Sequence, residues 1–402
     1  WGLLAAPARA WAEGPGDECP RGAQQYSVRD RRADPRQLRV ATFNAEWLFD
    51  GVDDSSRSPY HGDPGAADAH LERVAQVLRE VDGDIVQLTE VEDCAVLHRL
   101  ADMLNQGRST GQYAAYLVKG TDTYTMQDVA LLTRVDPEGA LERTEERKAY
   151  PMGGSACGYN GDTRTTGVSK HFLGRFDIGT GEGAPRLKLS LIGAHLIAFP
   201  TDARRCSQRE AQASVLQGLA LEAKADGYEV VVLGDLNDFS GQVPDVQGSV
   251  PTSRVLSILQ DWDGDGEDEL ENAASLLRVE DRYTAWYDHD PEDGRDSGTA
   301  ERSSIDHILL SRDLFSMAQG AGALHSMDPT QVSDHWPLWV DLNLAAGTGQ
   351  PRDPRPPPPP AGRPPDPPAA PQPARASTTW GQQDSGAASG AATGLFLALL
   401  AG

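Results

Sequence analysis

The chain has 402 residues, long enough to bury a real core as one large domain with tails or as two domains. Its 60 Asp and Glu outnumber 36 Lys and Arg, a formal net charge of -24 at pH 7. This excludes a diffuse basic surface that would hold a polyanion by counterion release alone, so a phosphate-bearing substrate must be met locally or through a cation. Four cysteines, Cys19, Cys94, Cys157 and Cys206, show no C-x-x-C spacing, which argues against a zinc site and leaves three disulfide connectivities open.

Residues 1–37 read as a leader. WGLLAAPARAWA has the short apolar run and A-x-A ending of a clipped signal peptide, and a polar, Arg-rich stretch follows it. Leu38 to Phe43 reads as the first strand and delivers Asn44 and Glu46, which share a face by the two-residue period of a strand. Gly51 to Gly65 is rich in turn formers, and Ala67 to Val81 carries Leu71, Val74, Ala75 and Leu78 at helical spacing. Asp84 to Leu88 is a buried strand that runs into Glu90 and Glu92. Cys94 to Leu104 reads as a second amphipathic helix. Tyr113 to Val118 and Asp128 to Thr133 are consecutive strands with no helix between them, so antiparallel pairing is expected.

Leu141 to Thr166 is polar and Gly-rich, and Arg164 and Lys170 are clustered cations there, candidates for holding substrate. Phe172 to Asp177 and Leu187 to Ile192 are further strands, the second leading to His195. Ser207 to Ala225 is a strong helix. It returns the chain to Val230–Leu233, a buried strand broken by Gly234 so that Asp235 and Asn237 stand at its C-terminal end, where open α/β sheets gather ligands. A carboxylate beside a carboxamide suits hydrolysis, because one group takes or orients a proton while the other holds an oxyanion or a metal shell.

Asp261, Asp263, Asp265 and Gly266 in DWDGDGED match the first half of a calcium loop, but position twelve would be Asn272 instead of a bidentate Glu. A structural Ca2+ and a solvated acidic turn both remain open. Ser304 to Ser311 is a strand with Asp306 near its start, and Val332 to Leu342 opens with Asp334 and His335 and continues as the last strand. Thirteen of the 28 prolines lie between Pro351 and Pro373, so residues 346–380 read as an extended spacer. Residues 381–402 place small residues before a short apolar end, the layout of a glycolipid-anchor signal, and the folded domain spans 38–345.

Asn44, Glu46, Glu90, His195, Asp235, Asn237, Asp306, Asp334 and His335 thus stand at or beside the ends of six apolar strands. Acids, amides and two imidazoles without cysteine form an oxygen-rich set suited to Mg2+ or Mn2+. In order, FNAEW, TEVED, DVALLTR, GAHL, GDLND, SSIDHILLS and SDHWPL resemble the endonuclease/exonuclease/phosphatase superfamily from Leu38 to about Leu344. The resemblance implies an α/β fold, a four-layer α-β-β-α sandwich of two packed mixed sheets, and in-line attack of water on a phosphate ester. By the same resemblance Glu90 is the principal metal carboxylate, with Asn44, Glu46 and Asp334 as further ligands. His335 is the base, held by Asp306; Asp235 and Asn237 orient the nucleophile and contact the phosphoryl oxygens; His195 is a second, potentially cationic imidazole on the phosphate. Thr89 and Glu92 depart from the Gln and basic residue that nucleic-acid-cutting relatives place there, and the phosphate tyrosine has no unambiguous match near Tyr124.

The leading expectation is a secreted or cell-surface metal-dependent phosphodiesterase, a nuclease acting on nucleic acid. Alternatives are a phospholipase C-like hydrolase of sphingomyelin or phosphoinositides and a non-catalytic surface binding protein. A monomer is expected, attached to membrane if the C-terminal lipid anchor is real, with no protein partner evident. Cys157 and Cys206, read as loop residues flanking the His195 strand, are expected to pair in an exported chain, leaving Cys19 with Cys94.

Overall fold

Two mixed sheets pack face to face because their strands put apolar side chains on a shared inner side. The computed structural model describes residues 19, 29–52, 55–199, 202–287 and 301–345. The signal-like start, the proline-rich spacer and the anchor-like tail lie outside the described residues. The chain runs β1 (Gln37–Leu48), α1 (Pro64–Val81), β2 (Ile85–Val91), α2 (Cys94–Asn105), β3 (Ala114–Leu117), β4 (Asp128–Thr133), β5 (Lys148–Tyr150) and β6 (Arg164–Thr166). It continues through β7 (Lys170–Ile178), β8 (Leu187–His195), α3 (Ala203–Ala225), β9 (Glu229–Asp235), α4 (Val255–Gln260) and β10 (Leu270–Asn272). Then come β11 (Ala285–Trp286), β12 (Arg302–Ser303), β13 (Asp306–Ser311), α5 (Arg312–Ser316), β14 (Ala318–Ala323) and β15 (Leu338–Asn343).

The first sheet has the order β14-β15-β1-β2-β4-β3 and the second β10-β13-β9-β8-β7. Within them β1–β2 and β8–β9 are parallel and the other pairs antiparallel. Leu38 and Val40 of β1, Leu131 of β4, Leu191 of β8, Leu233 of β9 and Ile308 of β13 meet in the core between the sheets. Outside the first sheet, Leu71, Val74 and Leu78 of α1 and Leu97 and Leu100 of α2 cover Phe43, Val86 and Leu88. Outside the second, Leu216 and Ala220 of α3 and Leu259 of α4 cover Ile192, Val232 and Leu309. The layers are therefore α-β-β-α, and each large aliphatic side chain removed from water contributes about 1.5–3 kcal/mol.

Helix ends follow local chemistry. The carboxylates of Asp63, Asp93 and Asp202 accept backbone N–H groups at the starts of α1, α2 and α3, and Asp82 ends α1 in the left-handed conformation. Two expectations change, and one strand stands where none was expected. The last strand starts at Leu338, not Val332, because the Asp334 carbonyl accepts from the Trp286 N–H and Pro337 has no N–H to donate. β14, the edge strand AQGAGA, has no alternating pattern to read; a Cβ at Gly322 would meet the Trp339 ring at 2.3 Å. Cys206 lies in the first turns of α3 rather than in a loop, yet it is disulfide-bonded to Cys157, as Cys19 is to Cys94.

Gly234 has φ +132°, and a Cβ there would sit 1.9 Å from the Ala194 carbonyl oxygen of the neighbouring strand. Only glycine fits that approach. Gly234→Ala is expected to destabilise the fold by about 3 kcal/mol or more, read as a lowered midpoint in chemical denaturation. A wild-type midpoint would show that β8 and β9 separate easily there.

Candidate active site

The alternation that builds the core also places the polar cluster at its rim. On β13, β9, β8 and β7 the inward-facing positions run Ile308, Leu233, Leu191 and Phe172, and the same faces continue to Asp306, Asp235, His195 and Lys170. Register makes these four lateral neighbours, Asp306 opposite Asp235, Asp235 opposite His195, and His195 opposite Lys170. On the facing sheet, Val40 of β1 is followed on its face by Thr42 and Asn44, and Asn44 pairs with Thr89 beside Glu90.

Asn44 joins the two sheets. Its Nδ2 donates to Glu90 Oε1 and to Asp235 Oδ2, both at 3.2 Å, while its Oδ1 accepts from the Glu46 N–H at 3.0 Å. Asn44 thus bridges the two sheets through its amide nitrogen, and its oxygen, which accepts one N–H, keeps a second lone pair. Glu90 accepts from the Trp47 N–H at 3.1 Å and from Gln127 Nε2 at 2.7 Å. Glu46 reaches the cluster by a different route from the expected alternation: Glu46 and Trp47 have φ 46° and 54°, and Glu90 has φ 63°. These irregularities turn both glutamates inward, at about 1–3 kcal/mol each. Glu46 Oε2 then accepts from the Asp334 N–H at 3.1 Å.

His335 Nδ1 and Asp306 Oδ2 are 2.7 Å apart, and His335 Nε2 lies 3.9 Å from both Asp235 Oδ2 and Asp334 Oδ1. Ser333 Oγ donates to the Asn44 carbonyl and accepts from the His335 N–H, fixing the loop that carries Asp334 and His335. Asn237, at φ 53°, donates through Nδ2 to the Leu196 carbonyl at 3.0 Å, and its N–H caps Asp235 Oδ1. His195 Nε2 is 3.5 Å from Asp235 Oδ2.

The electrostatics of this cluster are those of acids crowded out of water. Burial, then the charges of Asp334 and Glu90, hold the Glu46 carboxyl well above its usual range. Burial pushes Asp334 up to about 6, with Glu90 and Asp306 adding to the shift against His335. Burial and then Asp306 push Asp235 up to about 7. Burial would lower His335, but Asp306 and Asp334 outweigh it and raise the imidazole well above 6.5. His195 moves the other way, through burial and then Lys170 and His335, so it is a neutral imidazole and not the cationic one expected.

A divalent cation fits this donor set. Glu90, Glu46 and Asp334 repel one another, and Asp334 Oδ1 is buried with no hydrogen-bond partner among the described residues. Asp235, Asp306 and His335 bring ligand atoms within 4.8 Å of one another, a closer grouping than the three carboxylates make, but their closest contact is the 2.7 Å imidazole–carboxylate hydrogen bond, which suits proton transfer better than metal binding. Asp261, Asp263 and Asp265 gather in the acidic turn, where their carboxylates accept backbone N–H groups of Gly264, Gly266, Asp265 and Glu267. Asn272, the would-be twelfth calcium position, is instead in β10 and donates to His307 Nδ1.

Lys170 joins the cluster indirectly, donating to Gln127 Oε1 at 3.2 Å, and so backs the amide that holds Glu90. Arg164 does not join it: the residue is exposed on β6, in register with Tyr150. Gln127 was missed by sequence reasoning. It precedes an antiparallel strand whose start lies at the same mouth, so the signal that could have found it is a polar residue just before a strand rather than just after one.

Hard oxygen donors beside an imidazole serve a substrate that gains negative charge as it reacts, the chemistry of metal-dependent phosphoester hydrolases. The sequence matches the Endonuclease/Exonuclease/phosphatase family over residues 41–335, and the chain belongs to that family. It is accordingly a divalent-metal-dependent hydrolase of phosphoester bonds. No curated protein matches it by sequence. Among solved structures, truncated Caenorhabditis elegans TDP2 is similar at 18% identity over 78% of this chain and 100% of that one, with TM-score 0.43. The 3'-5' exonuclease NExo of Neisseria meningitidis is similar at 14% identity over 76% and 100%, with TM-score 0.48.

With His335 raised by its partner, water activation requires it to lose a proton above its ordinary pKa, so the rate on a bis-aryl phosphodiester should climb as pH rises through that elevated value. Asp306→Asn removes the stabilising charge and should move this acid limb to lower pH while slowing turnover. A pH-rate profile of both proteins at saturating metal decides; an unmoved limb would dissociate Asp306 from the titration.

Proposed function

We propose that the chain is an exported nuclease that uses Mg2+ or Mn2+ to cleave phosphodiester bonds by attack of water. The observation that carries this reading is the convergence of Glu90, Glu46 and Asp334 with the Asp306–His335 pair at one mouth of the sandwich. A cation held by those three carboxylates would neutralise charge developing on the phosphoryl oxygens. His335 Nε2 takes the proton of the attacking water, its Nδ1 fixed by Asp306, and Asp235 orients the nucleophile from the facing strand. Asn237 has committed one amide hydrogen to the Leu196 carbonyl and offers the other to a phosphoryl oxygen; His195 serves as a neutral donor.

Polynucleotide is favoured as substrate by the surroundings of the mouth. Exposed Tyr124, in the loop leading to Gln127, is stacked by the Arg57 guanidinium 3.6 Å from its ring centroid. Tyr287, next to the Trp286 that holds the Asp334 carbonyl, is also exposed. Such planes suit base stacking. Export is supported by two disulfides, which persist in oxidising compartments. The chain is proposed to act as a monomer, and surface attachment through the C-terminal tail remains part of the proposal.

Purified protein offered duplex DNA, RNA, sphingomyelin and a bis-aryl phosphodiester should degrade polynucleotide with Mg2+ or Mn2+ and lose activity in chelator. Release of phosphocholine without DNA or RNA cleavage would replace the nuclease by a lipid hydrolase. Glu90→Gln should weaken the metal requirement's apparent affinity and cut the rate by at least ~10²-fold, since a neutral amide is a poor ligand for a hard cation. An unchanged metal titration would make Glu90 structural.

A further inference from the structure

A cavity of about 290 Å³ opens beside Lys170, where the row of site residues on the second sheet ends. Lys170 belongs to both places, since it lines the cavity and its Nζ donates to the glutamine that holds Glu90. Among the lining residues, Val168 and Ile197 are the apolar side chains, which leaves no surface for an acyl chain. Three carboxylates line it, and each has a cation: Asp122 lies 3.8 Å from Lys170, Glu145 pairs with Arg143, and Glu146 lies 2.6 Å from Lys148. Arg147 is different. It lines the cavity, is exposed, and donates to the Thr165 carbonyl at 2.9 Å and hydroxyl at 3.3 Å, with no carboxylate partner among the described residues.

We infer that this cavity receives, through Arg147, the phosphate next to the scissile one in a polynucleotide. The inference rests on the nuclease reading above and adds the subsite that would set the strand's register. A chain of net charge -24 repels a polyanion at long range, so an uncompensated guanidinium lining the same cavity as Lys170 has an effect out of proportion to one charge. Nε and one Nη of Arg147 are committed to Thr165, and the remaining N–H donors are free to grip phosphate oxygens. Of the two cations the sequence singled out, Lys170 lines the cavity and Arg164 does not.

The test compares kcat/KM for a short single-stranded oligodeoxynucleotide and for a bis-aryl phosphodiester, in wild type, Arg147→Ala and Arg147→Lys, over a salt series. Arg147→Ala should lower the ratio of the two about tenfold, mainly through KM, and flatten the dependence of log KM on log salt by ~0.7. Arg147→Lys should recover part of both, and matched thermal midpoints would exclude a folding effect. If wild type cleaves the oligonucleotide and Arg147→Ala leaves ratio and slope unchanged, the subsite is refuted and the nuclease reading stands. If wild type cleaves the small diester but no polynucleotide, the nuclease reading fails and the subsite falls with it.

Discussion

Five carboxylates, Glu46, Glu90, Asp235, Asp306 and Asp334, meet at one mouth of the sandwich, and their mutual repulsion is the constraint the rest of the site answers to. Buried acids of like charge cannot all ionise without compensation. Here the means are few and specific: the Asn44 amide spans the two sheets, Gln127 and the Trp47 N–H satisfy Glu90, and the His335 imidazole sits among Asp306, Asp235 and Asp334. Those contacts leave the Glu46, Glu90 and Asp334 group short of positive charge. A dication held there would supply it, and an all-oxygen donor set favours a hard cation.

Holding that arrangement costs conformational energy, and the fold contains the means to sustain it. Glu46, Trp47, Glu90 and Asn237 all adopt left-handed backbone conformations that L-residues disfavour, each costing about 1–3 kcal/mol. Supporting groups sit behind them. Buried Arg209 of α3 donates to the Ile197 and Phe199 carbonyls in the loop after His195, and reaches Thr252. The Asp238 carboxylate accepts from the backbone of Thr252 and Ser253 and so fixes the turn that follows Asn237. The disulfide from Cys206 to Cys157 anchors the start of α3 one turn away from Arg209.

Much of this is legible in the sequence because one rule does two jobs. A strand that puts Leu191 or Leu233 into the core must put the residue two or four places on at the same face, so the convergence of His195 and Asp235 is encoded in their spacing from those leucines. The strand Asp128–Thr133 has the bounds its residues predict for a similar reason, an unbroken apolar run between polar breaks. The rule fails where the backbone leaves the extended region. Glu46 and Glu90 point inward through positive φ, which alternation does not encode, and the orientation of the Asn44 amide depends on partners 46 and 191 residues away. The neutral state of His195 follows from burial beside Lys170, a neighbour set by strand register. β14 is invisible in the sequence because alanine and glycine carry no pattern.

Whether the crowded Glu46, Glu90 and Asp334 carboxylates hold one divalent cation is tested most directly by the protons that metal binding expels. Calorimetric titration of the full chain with Mn2+ near pH 6, repeated in two buffers of different ionisation enthalpy, counts them. With Glu46 well above its usual range and Asp334 at about 6, one-site binding should release about one proton or more, falling toward zero at higher pH. Saturable binding without proton release near pH 6, or no saturable binding at all, would contradict the account.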